Sequence, residues 1–303
     1  MRDAALFEAL RDVLAVTFVR DTLLESYSCF FPLNKNEVRE KVKEAFELLI
    51  EAGKKKDSLL LQKATQTIHK HIFFNGDKNY WFSLLYRNYK ITTRSRVDFR
   101  AISPYIKGKV LDFGSNGGYY ALVLANNGYT VTTTDVLDCR DQSAKHIPFI
   151  KMEKPNVVPF EKDSFDTTIV KTVFHHIDNR YLIDVLKSLH SISKRIIIKE
   201  DIFGVTEEDF VQSDILEKDV FLKRYISLGT KSQYDALVLV DFFGNIIAHG
   251  IDNMDLPFNF KRLDEWKALL NSVGYKIIKI KWYGFEKTKL HQSLQAWIIC
   301  DRE

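Results

Sequence analysis

The stretch that decides the fold runs from residue 108 to residue 136 and reads GKVLDFGSNGGYYALVLANNGYTVTTTDV. Its pattern predicts a short buried strand, a glycine turn, a helix closed by Gly128, and a second strand that ends in Asp135. Glycines between a strand and a helix let a ligand approach bare backbone, with the amides at the helix start facing it. A carboxylate 21 residues after Gly114 is placed to accept hydrogen bonds from both hydroxyls of a ribose.

Two kinds of cofactor fit this stretch, a nicotinamide dinucleotide and S-adenosylmethionine. The loop reads G-S-N-G-G rather than the G-x-G-x-x-G of dinucleotide sites, which must house a pyrophosphate. Asp112 lies two residues before Gly114, where a carboxylate can meet a cationic amino group. These features favour S-adenosylmethionine, and a nicotinamide oxidoreductase stays as the less favoured alternative.

Strands and helices alternate along most of the remaining chain. Strand patterns follow at HIPFIKM, SFDTTIVKTVF and KRIIIKED, and Asp178 can cap the helix pattern DNRYLIDVLKSLHSIS. This alternation predicts a parallel sheet covered on both faces. The last two strand patterns, YKIIKIKWYGF and HQSLQAWIICD, are joined by a loop too short for a parallel crossover, so we expect them to be antiparallel.

Residues 1–105 carry a different pattern. Apolar residues recur at helical spacing in LFEALRDVLAVTF, EVREKVKEAFELLIEAG and SLLLQKATQTIHKHIFF, and Gly53 lies where a helix-ending glycine is expected. Residues 204–262 also break the alternation and read as helices and loops. We therefore predict a helical N-terminal domain at 1–105 and a second domain at 106–303, with an insertion at 204–262.

The sequence resembles the class I (Rossmann-like) S-adenosylmethionine-dependent methyltransferases over about residues 108–300. Four segments carry the resemblance: VLDFGSNGG, VVPFEKDSFDTTIVKTVFHHID, RIIIKED and PFNFKRLDEWKALLNSVGY. The resemblance implies an α/β fold with a seven-stranded, mostly parallel, doubly wound sheet whose last strand is antiparallel. Here the α-helical N-terminal domain would precede that sheet.

The resemblance also implies a set of cofactor residues. The positions that hold the methionine part of S-adenosylmethionine are Asp112, Gly114, Ser115, Asn116 and Gly117. Asp135 matches the acid that binds the ribose, and Val136 matches the residue that packs on adenine. Lys171 and Thr172 follow the fourth strand and are expected to line the pocket.

Two parts of this predicted pocket are less regular. Many family members have an acid that meets the adenine amino group, but Lys154 occupies that place here and Glu153 is beside it. The adenine contact is therefore expected from Glu153, from Lys154 or from backbone. Tyr80 belongs to an aromatic segment before the glycine loop, and it either covers the cofactor or packs the helical domain.

Two polar pairs are the candidates for the acceptor side. His175 and His176 follow the fourth strand, and Glu200 and Asp201 follow the fifth, so all four lie at carboxyl ends of parallel strands. A histidine has a pKa suited to general-base catalysis near neutrality, and we expect His176 in that role. The alternatives are a helix-entry role for the histidines and a capping role for the acids. The spacing matches no recognised ligand pattern, so no metal is predicted.

Composition bounds the remaining possibilities. The net charge is +4, and the three cysteines are far apart without zinc or disulfide spacing. We expect a cytoplasmic protein without a signal peptide or a membrane span.

The function expected from these observations is methyl transfer to the oxygen or nitrogen of a small molecule. A nucleic-acid methyltransferase is an alternative, but the place of its [D/N]-P-P-[Y/F] element reads KTVFHHID and no long basic stripe is evident. A non-catalytic interaction protein with a methyltransferase-like domain is another. The acceptor and the oligomeric state do not follow from the sequence.

Overall fold

The computed structural model describes residues 2–28, 35–68, 87–211, 213, 215–248, 256–285 and 293–303. The chain forms two compact units. The helical unit consists of Met1–Leu85, Asp201–Leu263 and Tyr283–Gln295. The sheet unit consists of Tyr86–Glu200, Asp264–Trp282 and Ala296–Glu303. Within the described residues, no helix is both long enough and apolar enough to cross a membrane.

The sheet unit is built on parallel strands. Among the described residues, the strands that lie wholly or mostly in this unit are β1 (Val110–Phe113), β2 (Val131–Asp135), β3 (Phe149–Lys151), β4 (Phe165–Lys171), β5 (Ser193–Phe203), β7 (Tyr275–Tyr283) and β8 (Gln295–Arg302). The short strand β6 (Lys261–Arg262) belongs to the helical unit. The order of the strands is β3-β2-β1-β4-β5-β8-β7, and the two-residue β6 pairs with β5 beside this path. The pairings among β1 to β5 are parallel, and the late strands are antiparallel. The fold predicted from the alternating pattern is confirmed.

Among the described residues, the helices that accompany the strands of the sheet include α5 (Ser95–Ile102), α6 (Tyr119–Asn126), α7 (Asn179–Ile192) and α11 (Leu263–Ser272). The predicted cap of α7 is present, because the Asp178 carboxylate accepts a hydrogen bond from the Arg180 amide at 2.8 Å. The middle of β5 is apolar and fully buried at Ile196, Ile197 and Ile198. Burial on both faces explains why this strand reads as a continuous apolar run.

The helical unit contains seven α-helices among its described residues: α1 (Arg2–Asp12), α2 (Thr17–Ser28), α3 (Lys35–Lys55), α4 (Ser58–Ile68), α8 (Ile215–Lys218), α9 (Val220–Ile226) and α10 (Gly229–Phe242). Its core is apolar and includes Leu10, Leu14 and Phe46, each fully buried. Phe46 packs edge-on against Phe243, with ring centroids 5.5 Å apart. The helices predicted before and after the sheet segment thus share one core.

Gly53 does not end its helix. Helix α3 continues to Lys55, and the left-handed residue that follows is Lys56, with φ of +52°. A Cβ atom at Gly53 would lie 2.8 Å from the Arg11 amide nitrogen and 2.9 Å from the Phe7 carbonyl oxygen of α1. The glycine is therefore explained by the close approach of two helix backbones.

The compact units do not follow the boundaries predicted from the sequence pattern. Residues 86–105 belong to the sheet unit, and residues 201–263 belong with the N-terminal helices. The physical reason for the first difference is Asp98 of α5, whose buried carboxylate forms ion pairs with lysines of the sheet. The division into domains at residue 105 stays a prediction.

We predict that Gly53→Ala destabilises the protein. Overpacking costs about 1–3 kcal/mol, whereas alanine gains only about 1 kcal/mol over glycine in a helix interior. Urea denaturation should show a lower midpoint with an unchanged slope. Gly244→Ala is the matched control, because no described residue lies within 4 Å of its added Cβ and no loss is expected there. Equal midpoints for the two variants would contradict the close approach of α1 and α3.

Candidate functional site

The glycine loop between β1 and α6 is held in an unusual backbone conformation. Gly114 and Gly118 have φ of +69° and +70°, and Asn116 also has a positive φ of +44°. The amides of Gly114 and Ser115 donate to the Thr134 carbonyl oxygen of β2 at 2.9 and 3.2 Å. The positive φ values favour glycine at two of these positions. The loop is therefore tied to β2 and turned sharply into α6.

Asp112 is the penultimate residue of β1, close to this loop, and is a buried acid. Its side chain is 3% exposed, and its Oδ2 atom has no hydrogen-bond partner among the described residues. Burial raises the pKa of Asp112 to about 7, while Lys171 opposes the shift and Asp135 adds to it. A buried carboxyl oxygen that lacks a partner suits a cationic ligand group. The Oγ atom of Ser115 is also buried without a hydrogen bond in the described part of the chain.

Asp135 lies where a ribose-binding acid is predicted. Its carboxylate accepts hydrogen bonds from the Asn116 amide at 2.9 Å and from the Val136 amide at 2.7 Å. These contacts fix the carboxylate beside the glycine loop, at the carboxyl end of β2. Carboxylate oxygens accept more than one hydrogen bond, so Asp135 keeps acceptor capacity for ribose hydroxyls. Gly117 is bound to the same region, because its carbonyl oxygen accepts from the Asp141 amide at 2.9 Å.

Glu153 and Lys154 follow β3 and are both exposed. The preceding residue, Met152, is buried, and its amide donates to the Asp135 carbonyl oxygen at 2.9 Å. The two candidates for the adenine contact are therefore placed next to the end of β2. Tyr80 lies outside the described residues.

Together, these residues fit S-adenosylmethionine as the resemblance implies. Asp112 offers a partner for the amino group of the methionine part, and Asp135 offers acceptors for the ribose. The loop also lacks the G-x-G-x-x-G spacing that houses the pyrophosphate of a dinucleotide. The roles assigned to single residues stay predictions.

Lys171 and Thr172 lie at the carboxyl end of β4, as predicted. The ammonium group of Lys171 forms an ion pair with Asp98 at 2.7 Å and lies 4.0 Å from the centre of the Tyr120 ring. Thr172 has a φ of +52°, and its amide donates to the Lys199 carbonyl oxygen at 2.7 Å. Lys171 is thus part of an ion-pair cluster that sequence reasoning did not identify.

Asp98 is the centre of this cluster and is completely buried. Its Oδ1 atom pairs with Lys199 and its Oδ2 atom with Lys171, both at 2.7 Å. Burial favours the neutral acid, but Lys171, Lys199 and Arg94 outweigh it and lower the pKa of Asp98 well below its usual range. The sequence signal for this cluster was an acid on the buried face of the helix before β1. Its lysine partners lie far along the chain, so the sequence did not reveal the pairing.

The two predicted catalytic pairs are only partly brought together. The buried Glu200 carboxylate accepts from the Val173 and Phe174 amides at 2.9 and 2.8 Å, and its other oxygen lies 2.7 Å from His175 Nδ1. The half-buried His176 ring lies 4.1 Å, centre to centre, from that of His175, with the two ring planes tilted by 48°.

Glu200 therefore orders the loop after β4, and His176 is the more accessible histidine. Asp201 belongs to the helical unit, where its carboxylate accepts from Gln295 Nε2 at 2.8 Å.

The raised pKa of Asp112 predicts a pH-dependent cost in stability. The folded protein keeps this carboxyl protonated up to about pH 7, whereas its ordinary value is 3.8. The contribution of the protonated Asp112 carboxyl group to the free energy of unfolding is therefore fully present below about pH 4. It is lost as the pH rises to 7, so the free energy of unfolding falls over this range. Asp112→Asn should be more stable than the parent above pH 7 by about 1.4 kcal/mol per unit of the pKa difference. Urea unfolding at pH 5 and pH 8 measures the change.

The control is Asp184→Asn, since Asp184 is exposed on α7 and should give no such gain. An Asp112→Asn variant that is less stable than the parent at pH 8 would contradict the raised pKa assigned to the buried Asp112 carboxyl group.

A known protein family matches the segment that carries this site. The sequence profile of a family described as "Methyltransferase domain" matches residues 111–195, which span β1 to the start of β5. No curated protein matches the chain.

Among solved structures, a methyltransferase from Methanosarcina mazei that depends on S-adenosylmethionine is 17% identical, with a TM-score of 0.45. The match covers 67% of this chain and 96% of that one. A second, from Archaeoglobus fulgidus, is 14% identical over 72% of this chain and 99% of that one, with a TM-score of 0.47. Together, the profile match and the observed strand order identify a class I S-adenosylmethionine-dependent methyltransferase domain in this chain.

Proposed function

We propose that the protein transfers the methyl group of S-adenosylmethionine to an oxygen or nitrogen atom of a small molecule, with His176 facing the acceptor. The observation that carries the proposal is the arrangement of Glu200, His175 and His176 at the carboxyl ends of β4 and β5. Ligands of doubly wound sheets bind at this edge. The same edge carries Asp112 and Asp135.

The cofactor supplies an activated methyl group, so the chain mainly has to bind and align the acceptor. Glu200 fixes the orientation of His175 through Nδ1, and it fixes the loop through the amides of Val173 and Phe174. His175 is buried and supports the His176 ring from one side. His176 is therefore the base in this proposal, and His175 and Glu200 are positioning residues. Asp201 remains a candidate for contact with the acceptor.

A proton acceptor is needed when the methylated atom is a hydroxyl oxygen, and it is dispensable for an amine that is already neutral. The effect of removing His176 therefore separates the two kinds of acceptor. For nucleic-acid methyltransferases that act on base amines, the loop after β4 commonly carries a [D/N]-P-P-[Y/F] element. Here the loop reads TVFHHID, which favours a small molecule.

The first test is transfer of label from S-adenosylmethionine with a radioactive methyl group. Small phenols, carboxylic acids and primary amines serve as acceptors, and total RNA serves as the competing substrate. We expect label in one small-molecule class. Salt-dependent transfer to RNA would support the nucleic-acid alternative instead. No binding of S-adenosylhomocysteine by calorimetry, together with no transfer, would favour the non-catalytic alternative.

With an oxygen acceptor, His176→Ala should lower kcat by about 10²–10⁴-fold, the usual contribution of a general base. The Kd for S-adenosylhomocysteine should stay unchanged, because the proposal places His176 on the acceptor side. His146→Ala is the matched control, since His146 is exposed on the loop before β3 and should leave kcat unchanged. Glu200→Gln should lower kcat less than His176→Ala. An unaltered kcat in His176→Ala with a hydroxyl acceptor would refute the assigned base.

A further inference from the structure

The register of the sheet places four charged residues in one row. Asp112 lies opposite Thr133 of β2 and Ile169 of β4. Side chains two residues apart on a strand share a face, so Asp135 and Lys171 lie on the same face as Asp112. Across strands β2, β1, β4 and β5, this face therefore presents the four as a staggered row. Lys199 lies opposite Lys171, and Asp112 lies two residues before the level of Asp135 and Lys171 on the same face.

The row brings a lysine close to an acid that it does not bind. Lys171 lies one strand away from Asp112 and is electrostatically coupled to it. Nevertheless, Asp112 Oδ2 has no hydrogen-bond partner among the described residues, and the Lys171 ammonium lies 2.7 Å from Asp98 Oδ2. A flexible lysine with a buried carboxyl group on the next strand would ordinarily form that ion pair. Asp98 is the competing acceptor.

The Tyr120 ring of α6 lies beside the same lysine, with its centre 4.0 Å from the Lys171 ammonium. Its hydroxyl group is buried, and the charges of both Asp98 and Asp112 act on it. The ring therefore supports the ammonium in its position near Asp98.

We propose that Asp98 is a positioning residue for the cofactor site: it holds the ammonium group of Lys171 away from Asp112, so that this carboxyl group stays available to the cationic amino group of the cofactor. The inference rests on the predicted contact between Asp112 and that amino group. Asp98 itself lies on α5 and is completely buried. It acts through Lys171 rather than by touching the ligand.

The groups around both acids determine the direction of the effect. Asp112 faces Lys171 of β4, Asp135 of β2 and the Tyr120 hydroxyl. Without the Asp98 carboxylate, Lys171 and Lys199 would lie as like charges on neighbouring strands. Lys171 would then turn to Asp112 as the nearest acid on its own face. Asp112 would then ionise at lower pH, and its carboxylate would already be paired with the Lys171 ammonium. The cofactor amino group would therefore have to displace an internal ion pair.

Asp98 has its own set of facing charges: Lys171 of β4, Lys199 of β5, Arg94 of the turn before α5, and the Tyr120 hydroxyl of α6. Removing Lys171 instead of Asp98 leaves the 2.7 Å pair between Asp98 and Lys199 in place. Asp112 then loses a cation that favours its ionised form, so it is ionised only at higher pH. The two substitutions therefore shift the pH dependence of cofactor binding in opposite directions.

The test is calorimetric binding of S-adenosylhomocysteine to the full chain from pH 5.5 to pH 8.5, in buffers of different ionisation enthalpy. For the parent protein we expect affinity to rise up to about tenfold per pH unit below pH 7, with release of protons, and then to level off. Lys171→Met should move this midpoint to higher pH. Asp98→Asn should move it to lower pH and weaken binding at pH 7.5 by about tenfold or more.

The double variant, Asp98→Asn with Lys171→Met, should move the midpoint back above that of Asp98→Asn, because the competing ammonium is gone. 5′-Methylthioadenosine lacks the amino acid part and should bind without this pH dependence in every variant. Circular dichroism checks that each variant is folded. If Asp98→Asn does not fold, the Lys171→Met variant still tests the proposal, because an unchanged midpoint in that variant would show that the Lys171 ammonium does not act on Asp112.

A single midpoint shared by parent, Lys171→Met and Asp98→Asn would overturn the proposal and leave Asp98 with a purely structural role. Persistence of the Asp98→Asn effect in the double variant would also overturn it, because Lys171 could not then be the mediator. Failure of the parent to bind S-adenosylhomocysteine at every pH would instead refute the cofactor assignment on which the inference rests. The two failures are therefore distinguishable.

Discussion

The Asp98 carboxylate, set between two lysines of neighbouring strands, is the interaction on which the rest of the sheet unit depends. Lys171 and Lys199 lie opposite each other on β4 and β5, and Lys199 is completely buried. Two ammonium groups in this position are tolerated only with a shared anion, and removing one partner of a buried pair costs about 3–5 kcal/mol. Because that anion comes from α5, the helix before β1 is bound firmly to the sheet. The same interaction leaves Asp112 without an internal cation.

Hydrogen bonds and side-chain packing also connect the loops at the carboxyl edge of the sheet. The Glu200 carboxylate of β5 binds two amides of the loop after β4, and the side chain of Val173 in that loop packs against Gly114. Any Cβ atom at Gly114 would overlap Val173, in addition to the strain of a positive φ. The cofactor loop and the histidine loop therefore restrain each other. Two loops that contact each other in this way form a more rigid site than separate loops would.

Much of this arrangement could be predicted from the sequence, because it follows from local patterns. The alternation of strands and helices, the cap at Asp178 and the position of Asp135 beside the glycine loop follow from short stretches of sequence. The cluster around Asp98 could not be predicted in the same way, since its lysine partner Lys199 is 101 residues away. Gly53 gave a misleading signal, because a glycine that ends a helix and one that allows helices to touch look alike in sequence.

The way in which the chain supplies its two units has a consequence for synthesis on the ribosome. The helical unit takes its segments from Met1–Leu85, Asp201–Leu263 and Tyr283–Gln295, and the sheet unit takes the segments between and after them. Domains that are continuous in sequence can fold one after another as the chain emerges. Here the first helices must wait until more than 200 further residues have been translated before their core is complete. Their apolar faces are exposed during that interval, which makes the nascent chain a natural client for chaperones.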